Sequence, residues 1–234
     1  MPHDIETAVQ LLQEANGRLV RTVDGFADDD WGRPTGLPGW ARAHVVAHLA
    51  LNAEGLVGAL GGVASGGPVP MYASPEGRDH DIDELAGAEP DELRGRLLGG
   101  VTDFDNAVAA VPEDRWGTQI ERTPGSERTF VAAAAVGMRL REVEIHHADL
   151  EAGYSHREWP AAFSALVLNA MAKRGAAREP FTADPSEFDG TWAFGQGGAT
   201  VTGSAADLAW WLTGRGAGDG LTSDSGTLPG IEEW

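Results

Sequence analysis

Apolar residues recur three and four apart along four long stretches of the first two-thirds of the chain. That recurrence limits the fold more than any other feature. In "DIETAVQLLQEANGRLVRTVDGF" the residues Ile5, Val9, Leu12, Leu19 and Val23 fall on one helical stripe, and Gly25 marks its end. "WARAHVVAHLALNAEGLVGALGG" has the same period with a richer apolar content, which predicts a more buried second helix. "EPDELRGRLLGGVTDFDNAVAAV" predicts a third despite its internal glycine pair, and "TFVAAAAVGMRLREVEIHHADLEAG" a fourth that stops near Gly153. Between them, "DDDWGRPTGLPGW" and "VASGGPVPMYASPEGRDHD" are dense in turn residues and read as loops. Four long amphipathic helices make a four-helix bundle the economical solution. Its loops are longer than the connections need, which points to function built above one end.

The texture changes after "GYSHREWP". "WPAAFSALVLNAMAKRG" reads as one more helix, but "EPFTADPSEFDGTWAFGQGGATVTGS" loses the helical period and gains Thr, Phe, Trp and Gly. "TWAF" and "ATVTGS" read as short strands, and "AADLAWWLTGR" returns to helix. The expected organisation is a bundle over residues 1–155 and a small α+β domain over residues 156–234.

Charge narrows the partners. Asp and Glu number 36 and Lys and Arg 17, giving −19, a balance that repels nucleic acid and anionic membrane surfaces. A small anionic substrate is compatible only with a local cation that overrides the global field. There is no cysteine, so disulfides and thiolate metal ligands are excluded and any thiol chemistry needs an outside thiol. The first residues, "MPHDIETAVQ", lack a basic region followed by an apolar run, and no apolar run approaches the ~20 residues of a membrane span. A cytoplasmic monomer is the expectation.

The stretch "REVEIHHADLEAG" carries the chemistry. Residues four apart stack on one helix face and the seventh falls close to it, so Glu142, His146 and Asp149 share a side while His147 points away. Glu-x-x-x-His places a carboxylate and an imidazole where they can hold one cation. His44 and His48, also four apart, lie on the second helix, and either can complete the set in a bundle. Two histidines and a carboxylate suit zinc with an open fourth position, and equally non-haem iron. The same spacing also arises without a metal, with Glu142 paired to Arg139 or Arg141 at the surface.

Other stretches carry less. "GRGAGDG" follows a helix rather than a strand, which makes it a poor phosphate cradle, yet its Arg215 can either cap that helix or reach toward a cleft. "RDHD", with Arg78 and His80, reads as a solvated loop. Trp210 and Trp211 read as core. No Gly-x-Ser-x-Gly elbow is present to support a serine hydrolase.

Taken together, "GWARAHVVAHLALN", "PMYASPEGRDHDI", "MRLREVEIHHADLEAG" and "GRGAGDGLTSDSGTLP" resemble the mycothiol-dependent maleylpyruvate isomerases, in order and at similar spacing across both expected domains. The helical part resembles the wider DinB-like metal-binding bundle. The resemblance implies zinc or another divalent metal held by His48, Glu142 and His146, with His44 as a neighbour. It implies mycothiol as the thiol that the chain lacks, bound with the help of Arg78 and Arg215. It implies thiolate addition to the cis double bond of maleylpyruvate, rotation, and elimination to fumarylpyruvate. Arg215 would then hold a substrate carboxylate or the developing negative charge. Asp149 is expected behind a ligand histidine. A mycothiol S-transferase acting on another electrophile is the alternative expectation.

Overall fold

The structure, a computed structural model, describes residues 3–232. The chain divides into two compact units, residues 1–153 and 154–234.

In the first unit, α1 (His3–Asp24), α2 (Arg42–Ser65), α4 (Pro90–Ala110) and α5 (Ala134–Asp149) form the bundle. Each packs on two others in the cyclic order α1, α5, α2, α4. Leu12, Leu19, Val23, Leu49, Leu56, Leu60, Phe104, Leu140 and Val143 fill its centre. The glycine pair expected to weaken the third predicted helix has a use. A Cβ on Gly100 would lie 2.9 Å from Ala53 Cβ, so the missing side chain lets α4 approach α2 closely. By length and mean composition α2 is apolar enough to cross a membrane, but His48, Asn52 and Glu54 interrupt its apolar run and 67% of that stretch is buried within the protein.

Two elements depart from the expected organisation. Residues of "PMYASPEGRDHD" include α3 (Pro75–Ala86). Ser74 starts it by accepting a hydrogen bond from Gly77 N (2.9 Å), with Pro75 at the first helical position. Arg78 therefore stands on a helix, not in a solvated loop. The segment before α5 forms an antiparallel hairpin of β1 (Gln119–Glu121) and β2 (Thr129–Val131), so "TFV" is strand and α5 begins later than its apolar pattern suggested.

The ends of α2 and α5 are tied by Arg42, buried at the start of α2. Its Nε donates to Leu150 O (2.8 Å), its Nη2 to Glu151 O (2.7 Å) and its Nη1 to Asp30 (3.0 Å). One guanidinium thus satisfies carbonyls that the end of α5 leaves open, and fixes the register of α2 against α5.

The second unit contains α6 (Ala161–Arg174), α7 (Ala205–Leu212) and a four-stranded sheet. Its strands are β3 (Phe181–Pro185), β4 (Trp192–Phe194), β5 (Ala199–Gly203) and β6 (Thr222–Ser223), in the order β4-β3-β5-β6. β3 runs parallel to β5; the other two pairings are antiparallel. "TWAF" and "ATVTGS" supply strands as the sequence indicates, and "FTADP" adds a strand it did not. The stacked rings of Phe181 and Phe194, with centroids 4.5 Å apart, are buried, as is Phe163 of α6.

Candidate metal centre

The register set by Arg42 brings the second turn of α2 against the later turns of α5. Nε2 of His48 lies 2.8 Å from Glu142 Oε2, and Nε2 of His146 lies 3.3 Å from the same oxygen. The two imidazoles meet edge to face at 4.6 Å. Ligand atoms of His48, Glu142 and His146 all fall within 4.8 Å of one another, a group that could hold a metal ion.

The protonation pattern suits a cation. Burial, with help from neighbouring His146, pushes the His48 imidazole down to about 4, so it is neutral at ordinary pH. Burial would raise the Glu142 carboxyl, but hydrogen bonds from His146 and His48 hold it well below its usual range. His146 is raised: burial opposes its charge, yet hydrogen bonds to Asp149 and Glu142 outweigh that. Asp149 is buried, and its Oδ2 accepts from His146 Nδ1 at 2.8 Å. A histidine whose Nδ1–H is held by a carboxylate presents its Nε2 lone pair to a metal. Two imidazoles and a carboxylate fit zinc, with room for a fourth ligand.

The other histidines of these helices have different partners. His44 Nδ1 accepts from Ala41 N (3.3 Å) at the start of α2. His147 is buried on the opposite side of α5, with Nε2 2.8 Å from Thr22 on α1, beside the Arg18–Glu144 ion pair (2.6 Å). Arg139 does not meet Glu142 at the surface. It is fully buried, donating from Nη1 to Leu49 O (2.7 Å) and Asn52 Oδ1 (2.9 Å), and burial lowers it to about 10.

Arg78 adjoins the group: its Nη2 is 3.2 Å from His48 Nδ1, and its Nη1 donates to exposed Asp79. Arg215 belongs to the second unit. Its Nη1 donates to Thr213 O (3.0 Å) past the end of α7, and its guanidinium lies 5.6 Å from the Trp210 ring. There His156 stacks on Trp210 at 4.9 Å and meets Asp207 Oδ1 at 3.0 Å, lining a recess of about 70 Å³ with Arg215.

Two residues near the metal group escaped sequence reasoning. Trp40 covers three histidines, its ring 6.3 Å from His44, 5.6 Å from His48 and 6.4 Å from His146. The signal was present, because Trp40, His44 and His48 are successively four apart. Tyr72, held against α2 by Asn52 (3.4 Å), had no such signal.

Residues 12–151 match the mycothiol maleylpyruvate isomerase N-terminal domain family. No curated protein matches the chain. Among solved structures, the crystal structure of the mycothiol-dependent maleylpyruvate isomerase superimposes with a TM-score of 0.87 at 29% identity, covering 100% of this chain and 98% of that one. A histidine-to-alanine mutant of that isomerase gives the same TM-score, 0.87, and the same coverage.

Proposed function

The chain belongs to the mycothiol-dependent maleylpyruvate isomerase family, and on that premise we propose that it converts maleylpyruvate to fumarylpyruvate with zinc, or another divalent metal, and mycothiol. The observation that carries this reading is the convergence of His48, Glu142 and His146 in a chain matched over its whole length. When bound, metal and thiol supply a thiolate able to add reversibly to an activated cis double bond.

The chain's own residues do the rest. His48 and His146 would each offer an imidazole nitrogen and Glu142 a carboxylate oxygen to the ion, a set that would leave a position for a further ligand. Asp149 holds His146 in the ligating tautomer. Trp40 covers the imidazoles and limits the access of water. Arg78 and Arg215 are the cations assigned to the thiol cofactor, and Arg215 also to negative charge on the substrate.

The test mixes zinc-loaded protein with maleylpyruvate, with and without mycothiol, and follows the trans product. Conversion only with the thiol is expected, and Arg215→Ala should lose turnover while keeping its metal. A stable thiol adduct in place of regenerated thiol would replace this reading by a mycothiol S-transferase. Unchanged turnover in metal-replete Arg215→Ala would remove that arginine from the mechanism.

A further inference from the structure

The hairpin β1–β2 and the segment before α3 bring a second group of side chains to the metal group, all within the first unit. Met71 N donates to Glu121 O and Tyr72 N to Arg122 O, each at 3.0 Å, so residues 71–72 lie along the edge of β1. The Tyr72 ring then faces two guanidinium groups, Arg122 Cζ at 5.7 Å and Arg78 Cζ at 5.8 Å from its centroid. Arg78 in turn reaches His48.

Hydrogen-bond direction at Tyr72 is fixed from below. Arg139 Nη1 can only donate, so the Asn52 atom facing it at 2.9 Å is its oxygen. The Asn52 amide nitrogen must then point at Tyr72 Oη, which accepts it. The phenolic hydrogen is left to donate elsewhere.

Arg122 completes the case. Among the described residues its side chain makes no ion pair or hydrogen bond; its contact is the Tyr72 ring. In a chain with 36 acidic residues against 17 basic ones, a cation does not lack a carboxylate through scarcity. A phenolic donor whose ring lies under two guanidinium groups, Arg122 and Arg78, offers donors that match the lone pairs of a carboxylate.

We propose that Tyr72 and Arg122, flanked by Arg78, form a carboxylate subsite beside the metal group that selects dianionic over monoanionic substrates. This rests on the isomerase reading for the identity of the substrate. It goes beyond that reading by naming residues that bind one of the substrate's two carboxylates.

The test measures calorimetric binding of maleate, a cis dicarboxylate, and of its monoamide to the zinc-loaded protein, Arg122→Gln, Arg122→Lys and Tyr72→Phe. The wild type should prefer maleate by about ten-fold or more, the scale of a charge-assisted hydrogen bond. Arg122→Gln and Tyr72→Phe should lose that preference while binding the monoamide as before, and Arg122→Lys should restore part of it. In turnover, Arg122→Gln should raise KM for maleylpyruvate about ten-fold with kcat within about two-fold, as for uniform binding. Equal affinity of wild type and Arg122→Gln for maleate, or no preference in the wild type, overturns the subsite. A maleate preference that depends on Arg122, in a protein that isomerises nothing, upholds the subsite and overturns the isomerase reading.

Discussion

Asp149→Asn isolates one charge in the proposed metal centre. The carboxylate is buried, 3% exposed at its side chain, and its Oδ2 sits 2.8 Å from His146 Nδ1. Asparagine has the same shape, and its amide oxygen can still accept the Nδ1–H, so ring orientation and tautomer survive while the charge is lost. Removing the partner behind a metal histidine typically weakens metal binding about 10–100-fold. That is roughly 1.4–2.8 kcal/mol at about 1.4 kcal/mol per decade. Because geometry is kept, Asp149→Asn should fall in the lower half of that range and Asp149→Ala in the upper half. The carboxylate strengthens the hold of His146 on a proton as well as on a metal, since His146 is raised by Asp149 and Glu142 against the opposing effect of burial. Above the raised value the proton does not compete, and the full loss appears. Below it the wild type must expel a more tightly held proton than the variant, so the gap narrows as pH falls. Zinc affinity by chelator competition at several pH values reads both effects. Equal affinities for wild type and Asp149→Asn at pH 8, or a gap that widens on acidification, would refute the role given to Asp149.

Four further outcomes follow from the same geometry. His48→Ala and His146→Ala should each empty the metal site in elemental analysis, whereas His147→Ala, buried against Thr22, should keep its metal and cost about 1–3 kcal/mol of stability in denaturant unfolding; equal metal loss in all three would mean that the ligand face of α5 is misassigned. Zinc affinity should rise about ten-fold per pH unit from pH 5 up to the raised value of His146, because His48 near 4 and Glu142 well below its usual range are already deprotonated there; a slope of two protons would contradict this. Gly55→Ala puts a Cβ 2.9 Å from Met71 O and 3.1 Å from Tyr72 Cε1, so it should destabilise by about 1–3 kcal/mol and weaken maleate binding, and unchanged binding would detach Tyr72 from the subsite. Arg139→Met should change stability by no more than about 1 kcal/mol yet reduce maleate affinity through a freed Asn52; a loss above about 3 kcal/mol would show that Arg139 is held mainly by its attraction to Glu142.

The bundle was legible because its apolar stripes are long. Leu12, Leu19 and Val23 are buried as their spacing requires. The pair Glu142 and His146 was legible for the same reason, since residues four apart share a face whatever that face touches. What that face touches was not legible. Spacing alone makes Arg139, three residues before Glu142, a candidate surface partner for it, but the face looks into α2, and the guanidinium ends on Leu49 and Asn52. The stretch around Arg78 has the sequence texture of a loop because Pro75, Gly77 and its charges resemble turn chemistry. The Ser74–Pro75 start signal was there, but only two side chains of α3, Ile82 and Leu85, are buried, too few to make a stripe. The hairpin was hidden by shortness: three-residue strands carry almost no period. Tyr72 was illegible for a deeper reason. Its position depends on a backbone pairing with β1 and on a glycine of α2, neither of which has a local pattern.

Arg139 shows how a chain of charge −19 can admit a dianion. At physiological salt the Debye length is about 8 Å, so most of the acidic surface is screened from the metal group while its near neighbours are not. Several of those neighbours are cationic. Arg78 touches His48, Arg122 shares the Tyr72 ring with it, and the charges of Arg139 and Arg141 both act on Glu142. Burial weakens the basicity of Arg139 and Arg141, but a guanidinium lowered to about 10, as for Arg139, is still charged at neutral pH. Glu142 and Asp149 are the carboxylates that meet the histidines, whose contacts already draw on their charge, and exposed Asp79 pairs with Arg78. A buried arginine whose Nε and Nη2 have no hydrogen-bond partner among the described residues is poor construction for stability alone. It makes sense as part of the proposed site: it orients Asn52, Asn52 orients Tyr72, and its charge offsets Glu142, which would let a metal ion and an organic anion occupy neighbouring positions.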